Sequence, residues 1–241
     1  MQAEVISSVS GSVQPLVFET NLPECPYSTQ GTVFMVGYAG RAFVVTARHL
    51  LRPDDCPAIC IFPSDTSQRI MPLKDVFFVS NSHVPDDFMD VAVIEIDMKR
   101  VTDPEIGNAR LIDLNLASGD WLSESETAEM FILGYPEEHS FVDYDHETLT
   151  NCRWTLHGRY AGASEVDYLH KFEVSGKHTL SAFSGFSGAP VFAWIKLSGD
   201  RGQIILCGMA LRGTMSSGLI HFLDRSVLLD ALKVKLKQAR R

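Results

Sequence analysis

The chain has 241 residues, 45% of them hydrophobic and 21% charged, which excludes a wholly disordered or fibrous protein. Its 21 lysines and arginines face 30 aspartates and glutamates, so the formal net charge is −9. A general binder of nucleic acid or of anionic membranes needs a basic face, and the acidic balance argues against both.

The first segment, residues 1–30, has no basic stretch followed by an apolar one, so we predict no secretory signal. No apolar run approaches the roughly 20 residues that a membrane-spanning helix needs. The cysteines are sparse and irregularly spaced, which is not typical of a disulfide framework; they are Cys25, Cys56, Cys60, Cys152 and Cys207. Free thiols in a reducing compartment are therefore expected, and we predict a cytoplasmic protein.

Short segments rich in Val, Ile, Phe and Thr recur along the chain, separated by Gly, Pro, Asn and Asp. They predict strands at 31–37, 41–47, 57–62, 75–79, 90–96, 129–134, 150–159, 168–174, 189–195, 203–211 and 217–222. Many short strands with turn residues between them indicate an all-β barrel or sandwich. The first two strands form a predicted hairpin through residues 37–40.

Only the C-terminal segment has a helical period. From Asp224 onwards apolar residues recur on one broad face, and Asp224 or Ser226 can cap the start of the helix. The basic residues near its end suit the negative end of the helix dipole, with a nucleic-acid-binding tail as the alternative. Segment 98–128 is polar and irregular, which favours a connection between two strand-rich units.

These patterns divide the chain into five parts. We predict an N-terminal extension at 1–30, a first β unit at 31–110, a linker at 111–128, a second β unit at 129–223 and a C-terminal helix at 224–241. The extension is expected to pack across the back of the β units or to contact a partner.

Three local sequences carry candidate catalytic residues. His49 directly follows the apolar strand 41–47, where a sheet edge can aim its ring. Asp90 begins the strand Asp90-Val-Ala-Val-Ile-Glu-Ile96, and Ser187 lies between glycines in Ser184-Gly-Phe-Ser-Gly-Ala-Pro-Val191. A serine hydroxyl needs an adjacent base to act as a nucleophile at neutral pH.

With these motifs in this order, the chain resembles trypsin-like (chymotrypsin-fold) serine proteases. The family's histidine, aspartate and serine motifs match Thr46-Ala47-Arg48-His49, Asp90-Val91-Ala92-Val93 and Gly185-Phe186-Ser187-Gly188-Ala189-Pro190-Val191. Asp86 and Asp87 lie just upstream of the second motif, but only Asp90 stands directly before Val-Ala-Val. Residues 132–136, Ile-Leu-Gly-Tyr-Pro, also resemble a strand of bacterial members, so the resemblance is to a bacterial-type, stand-alone peptidase domain.

The resemblance implies an all-β fold of two six-stranded antiparallel β-barrels, and a serine endopeptidase that works through an acyl-enzyme intermediate. His49 would take the proton of Ser187 and return it to the leaving amine, while Asp90 would hold the histidine tautomer. The backbone N–H groups of Gly185 and Ser187 would form the oxyanion hole.

Two departures from the secreted members are informative. Many of those carry aspartate directly before the nucleophile, paired with a new N-terminus, but Phe186 stands here and no Ile-Val-Gly-Gly sequence occurs. We therefore predict that activation by an inserted N-terminus does not operate. Leu50 replaces the usual cysteine after the histidine, which agrees with a disulfide-free protein.

The resemblance also places a substrate pocket. Its base would be Ser181, six residues before the nucleophile, and its walls would include His178, Ala210, Leu211 and Gly213. An uncharged base does not support a preference for Lys or Arg. We expect a large apolar or an uncharged substrate side chain.

No metal or cofactor is predicted. The scattered residues His139, His146, Cys152 and His157 match no tight zinc pattern, and the sequence has no phosphate-binding glycine loop. The expected partner is a protein or peptide substrate, with an activating or recruiting protein as an open alternative. Neither nucleic acid nor a membrane is expected.

Three other functions compete with a constitutive peptidase. Ser187, Asp200 and His221 stand in α/β-hydrolase order, although that fold needs a helix after the serine and Pro190 precedes an apolar β run instead. The chain could also be a catalytically silent binding module on the protease fold. A third alternative is a protease effector that a partner or ligand switches on.

Overall fold

The computed structural model describes residues 3–20, 22–51, 58–78, 89–114, 120–146, 148–176, 178–196 and 202–238. The strands are β1 (Val13–Glu19), β2 (Tyr27–Tyr38), β3 (Arg41–Thr46), β4 (Ile59–Cys60), β5 (Leu73–Phe78), β6 (Ala92–Ile96), β7 (Ile112–Asp113), β8 (Glu129–Gly134), β9 (Ser140–Asp143), β10 (Thr148–Asn151), β11 (Trp154–Ala163), β12 (Leu169–Val174), β13 (Pro190–Lys196), β14 (Gly202–Thr214) and β15 (Leu219–Asp224). The helices are α1 (Ala3–Ser10), α2 (Pro104–Gly107) and α3 (Arg225–Gln238). None of the helices in these ranges is long and apolar enough to cross a lipid bilayer.

The first sheet contains seven strands. Its path is β4-β1-β2-β3-β6-β5, with β7 paired in parallel with β2. The N–H of Met71, before β5, donates to the carbonyl of Ile61, after β4, at 2.8 Å. This bond draws the two edges of the sheet together, so the sheet curls into a half-barrel.

The second sheet is a closed barrel of six antiparallel strands in the order β11-β12-β15-β14-β13-β8. Successive side chains of a strand point to opposite faces, and β8 is buried on both. Met130 and Ile132 belong to the cluster inside the barrel, whereas Phe131 and Leu133 belong to the cluster that contains the core of the first sheet. The two β units therefore share an apolar interface.

The predicted fold class, all-β with two antiparallel barrel-like units and a C-terminal helix, is confirmed. The first unit differs in detail, because seven strands form it and it is curled rather than closed in the part that the structure describes. The hairpin β9–β10 was not predicted. Residues 57 and 79, at the ends of two predicted strands, and Arg240 and Arg241 lie outside the described residues.

The N-terminal extension needs a correction. Residues 13–19 form β1, which lies between β2 and β4 inside the first sheet, and Val13 and Leu16 are buried. The strand was not predicted because of Pro15. Proline has no backbone N–H to donate to a neighbouring strand, so it argues against a strand in the interior of a sheet. The structure accommodates Pro15 at an irregularity in the pairing with β2 between residues 15 and 17.

The predicted linker, 111–128, packs against both units in its described part. β7 pairs with β2, and Trp121 is buried with its indole N–H donating to the Asp224 carboxylate at 3.1 Å. Asp224 also accepts the N–H of Ser226 at 2.7 Å, so it caps α3 as the sequence predicted. One carboxylate therefore joins the connecting segment, the barrel and the terminal helix.

The environment of Asp224 predicts a loss of stability in acid. Burial alone would raise the pKa of this carboxyl, but hydrogen bonds from His170 and Ser226 outweigh it and lower the pKa to about 2. Because the folded pKa lies below the unfolded value, the stabilisation is present above about pH 4 and is lost as the pH falls towards 2. With allowance for partial exposure, it amounts to about 1–2 kcal/mol.

Asp224→Asn is therefore expected to lower the free energy of unfolding by about 1–2 kcal/mol at pH 6 and to have little effect at pH 2. Urea unfolding at both pH values measures the difference. Asp230→Asn is the matched control, since Asp230 is exposed on α3 and its ion pair among the described residues is with the exposed Lys233. An equal deficit of Asp224→Asn at pH 6 and pH 2 would contradict the prediction.

Candidate active site

His49 and Asp90 meet at the ends of two neighbouring strands. β3 ends at Thr46, which pairs with Ala92 at the start of β6. Because the two strands are antiparallel, the residues that follow β3 lie beside the residues that precede β6. The Asp90 carboxylate accepts the backbone N–H of His49 at 2.8 Å and, through its other oxygen, contacts Nδ1 of the His49 ring. Two contacts from one carboxylate hold both the backbone and the ring of His49.

Asp90 is sheltered while His49 is accessible. The exposed fraction of the side chain is 14% for Asp90 and 46% for His49. A sheltered carboxylate interacts more strongly with its partner than a fully hydrated one, because less water screens the charge. The arrangement leaves the far side of the imidazole ring open to a ligand. Asp86 and Asp87, the rejected alternatives for the acid, lie outside the described residues.

Ser187 lies on a tight turn just before β13, and two glycines shape this turn. Gly185 has φ +93° and Gly188 has φ +83°, both in the left-handed region that favours glycine. A β-carbon at Gly185 would lie 2.2 Å from the carbonyl oxygen of Tyr135, and one at Gly188 would lie 2.1 Å from that of Thr32. The turn can therefore pack this tightly only with glycine at both positions.

Backbone hydrogen bonds join this turn to the first sheet. The carbonyl of Ser187 accepts the N–H of Thr32 in β2 at 2.9 Å. Gly188 lies against the residues that precede His49, since its β-carbon position is 3.1 Å from the nitrogen of Ala47. The structure thus brings His49 and Asp90 of the first unit and Ser187 of the second to one junction.

The hydroxyl of Ser187 donates to the carbonyl of Leu211 at 2.6 Å. Within the described ranges, no hydrogen bond joins this hydroxyl to His49. Leu211 is on β14, which runs beside the turn, so the hydroxyl points along the second barrel. Rotation about the Cα–Cβ bond of Ser187 would turn the hydroxyl away from the Leu211 carbonyl.

The N–H groups of Gly185 and Ser187 face away from the protein's own acceptors. The carbonyls of Ser184 and Phe186, which share peptide planes with those N–H groups, accept hydrogen bonds from Glu137 N at 3.0 Å and Ala189 N at 3.0 Å. In a trans peptide the N–H points opposite to the carbonyl. Neither N–H has an acceptor in the part of the chain that the structure describes, so both can bind an anionic oxygen.

Phe186 occupies the place of the aspartate that many secreted proteases carry. Its side chain is 1% exposed and belongs to the cluster inside the barrel. Gly134 makes room for it, since a β-carbon there would lie 2.6 Å from the ring. Apolar burial therefore anchors the turn at this position, where no charged group could do so without a partner.

Two solved structures resemble this fold over nearly its whole length. The thermostable serine protease AL20 from an extremophilic microorganism aligns with a TM-score of 0.54 and 17% identity, covering 92% of this chain and 95% of that one. A Glu endopeptidase in complex with MPD aligns with a TM-score of 0.52 and 16% identity, covering 94% and 90%. The chain has the trypsin-like fold.

Sequence comparison adds nothing to this result. No protein-family model matches the chain, and no curated protein matches it. The trypsin-like fold rests on the structural alignments, with TM-scores of 0.54 and 0.52, and identities of 17% and 16% do not extend the likeness to an activity. The α/β-hydrolase alternative is excluded, because strand β13 rather than a helix follows Ser187; of its other residues, His221 lies on β15 and Asp200 lies outside the described residues.

The predicted pocket residues fall into two groups in the trypsin-like fold. Ala210 and Leu211 are buried on β14, and Gly213 follows them on the same strand. A β-carbon on Gly213 would lie 2.7 Å from Ile220 and 3.0 Å from Phe183. Two buried apolar side chains therefore fill the space beside Gly213.

Ser181 and His178 lie in the segment upstream of Ser187. Ser181 is exposed, and its N–H donates to the Glu138 carboxylate at 3.0 Å while its hydroxyl contacts the same carboxylate. These two hydrogen bonds lower the pKa of Glu138. His178 packs against Phe183 with ring centroids 5.7 Å apart. Ser181 is thus paired at the surface.

The sequence did not mark four residues that contact the turn carrying Ser187 or the predicted pocket residues: Thr32, Glu138, Phe183 and Ile220. No motif marks them, because a threonine in a strand or an apolar residue in a barrel is ordinary. Of the scattered candidate metal ligands, His139 stacks on Trp154 and His146 contacts Asp143. In the described ranges, no group of three or more His, Cys, Asp or Glu residues could hold a metal ion.

Proposed function

We propose that the chain is a serine endopeptidase in which Ser187 is the nucleophile, His49 the general base and acid, and Asp90 the residue that orients His49. The observation that carries the proposal is the double contact of the Asp90 carboxylate with the backbone and ring of His49. That contact leaves the other ring nitrogen, Nε2, to exchange a proton with Ser187.

The proposed reaction has two halves. Ser187 Oγ attacks the peptide carbonyl carbon while His49 Nε2 takes its proton, and the carbonyl oxygen becomes an anion that the N–H groups of Gly185 and Ser187 bind. The C–N bond then breaks, and His49 returns the proton to the leaving amine. Water attacks the resulting ester by the same route, releasing the acid and restoring the Ser187 hydroxyl.

The edge of β14 supports a mode of substrate binding. Pairing with β13 begins at Met209 opposite Pro190, while β14 runs on to Thr214. An extended peptide could add to this edge as a further strand. An N–H group of this peptide could donate to the Leu211 carbonyl in place of the Ser187 hydroxyl. The hydroxyl would then be free to turn towards His49.

This release also favours a second candidate function, a protease that rests until a ligand occupies the β14 edge. The observation behind it is the hydrogen bond from Ser187 to Leu211. A fluorophosphonate probe separates the candidates. Labelling of the purified chain by itself indicates a constitutive peptidase, labelling only with an added peptide or protein indicates a gated one, and no labelling under any condition indicates a silent binding module.

The filled space beside Gly213 predicts the substrate preference. Charged side chains would lose hydration against Ile220 and Phe183, so we expect short uncharged residues at the cleaved bond, in place of the large apolar side chain that the sequence alone had left open. A peptide-library cleavage profile is expected to show kcat/KM at least about tenfold higher for Ala or Val than for Lys, Arg or Glu at that position. A preference for Lys or Arg would contradict this and would indicate Glu138 as the counter-ion.

We also propose a cytoplasmic, reducing environment. The four described cysteines, Cys25, Cys60, Cys152 and Cys207, are free. Cys60 and Cys207 are buried, and burial raises the pKa of both thiols, that of Cys60 to about 11. Such thiols are poorly reactive, which agrees with a role in packing. Cys56 lies outside the described residues.

A further inference from the structure

Thr32 contacts the turn that carries Gly185 and Ser187 through both its backbone and its side-chain hydroxyl. The residue is fully buried on β2, and each of its polar groups has a partner. Its N–H donates to the Ser187 carbonyl at 2.9 Å, and its own carbonyl accepts the Thr46 hydroxyl at 2.8 Å. Its hydroxyl donates to the Gly185 carbonyl at 2.7 Å and accepts the N–H of Tyr135 at 3.0 Å.

The hydroxyl of Thr32 binds the turn at Gly185, the residue whose backbone is most free to rotate. Gly185 has φ +93°, and a glycine can rotate its flanking peptides with little steric resistance. Glu137 holds the peptide before Gly185 through the Ser184 carbonyl, and Thr32 holds the peptide after it. Both dihedral angles of Gly185 are therefore set by groups outside the turn, one of them a side chain of the other β unit.

The same hydroxyl also ties the turn to the end of β8. Tyr135, whose N–H it accepts, follows Gly134, and Gly134 is the residue that makes room for the Phe186 ring. One buried oxygen thus links β2, the end of β8 and the turn that carries Ser187. Without it, the buried Tyr135 N–H and the partly buried Gly185 carbonyl would both lose this hydrogen-bond partner, which favours a rearranged turn.

We infer that Thr32 is a positioning residue for the proposed peptidase reaction, on which this inference rests. Its hydroxyl holds Gly185 in the conformation that directs the Gly185 N–H towards the oxyanion. The residue does not touch the substrate. Its loss should therefore weaken binding of the transition state while leaving binding of the peptide nearly unchanged.

The test compares three variants in the full-length chain. Thr32→Val keeps the shape and removes the hydroxyl, Thr32→Ser restores the hydroxyl, and Thr29→Val removes another hydroxyl of β2, which donates to Ser140 rather than to the turn. We expect Thr32→Val to lower kcat by about 10- to 100-fold with KM changed by less than about threefold. A peptide aldehyde, which forms a tetrahedral adduct, should bind more weakly by a similar factor.

Thr32→Ser is expected to restore most of kcat, and Thr29→Val to leave it unchanged. A purely structural role would lower the melting temperature and leave kcat of the folded enzyme and aldehyde affinity unchanged; that result would overturn the inference. If Thr32→Val does not fold, Thr32→Cys, with a weak thiol donor at the same place, is expected to show the same fall. An inactive wild-type chain would instead refute the proposed function.

Discussion

Replacing Ser187 with alanine is expected to abolish peptide hydrolysis and fluorophosphonate labelling while leaving the fold intact. The hydroxyl is the proposed nucleophile, and its loss should lower kcat by roughly 10⁴- to 10⁶-fold, the range known for serine hydrolases that use a Ser-His-Asp triad. Within the part of the chain that the structure describes, the hydroxyl makes one hydrogen bond, to the Leu211 carbonyl. Its removal should therefore cost only about 1 kcal/mol of stability.

Ser184→Ala is the matched control for this experiment. Ser184 lies three residues upstream on the same turn, is also followed by glycine and is exposed. Ser184 supports the proposed oxyanion site through its backbone carbonyl, which accepts the N–H of Glu137. The substitution to alanine keeps this carbonyl. We expect wild-type labelling of Ser184→Ala. If labelling persists in Ser187→Ala and disappears in Ser184→Ala, the nucleophile is Ser184, and the proposed role of Ser187 is wrong.

Asp90→Asn is expected to lower kcat by about 10⁴-fold without unfolding the protein. An amide can still accept the His49 backbone N–H, so the loop should keep its course. It cannot stabilise a positive imidazolium, and its NH₂ group favours the wrong histidine tautomer. Steady-state hydrolysis of the best library peptide measures the effect, and circular dichroism checks the fold.

The β9–β10 hairpin offers a matched control for Asp90→Asn. Asp143 accepts the backbone N–H of His146 at 3.1 Å and the His146 ring nitrogen at 2.9 Å, which repeats the Asp90–His49 pattern at an exposed position. Asp143→Asn breaks an equivalent contact and should leave kcat unchanged. Equal effects of the two substitutions would show that the Asp90 contact has no special role in the reaction.

Much of the fold followed from local patterns, because short alternating strands and a single helical period are visible in the sequence. The candidate residues His49, Asp90 and Ser187 came from short motifs that resemble those of trypsin-like proteases. In the structure each lies within three residues of the end of a strand. The catalytic roles of the three residues stay predictions until the variants are measured.

The elements that were missed depend on partners distant in the sequence. β1 contains Pro15, and only an irregular pairing with β2 makes a strand there acceptable. Trp121 lies in a polar segment, and its burial depends on Asp224, far along the chain. A local pattern does not contain such partners, so it predicted an extension and a linker where the structure has parts of the core.

The sequence by itself determined the class of fold, the terminal helix and the order of the candidate catalytic residues, since these depend on periodicity and on short motifs. Its acidic balance discouraged nucleic-acid binding, which stays a prediction. Tertiary structure alone decided where the Ser187 hydroxyl points, what fills the space beside Gly213 and which residue holds Gly185. These features depend on side chains from two β units that meet only when both are folded.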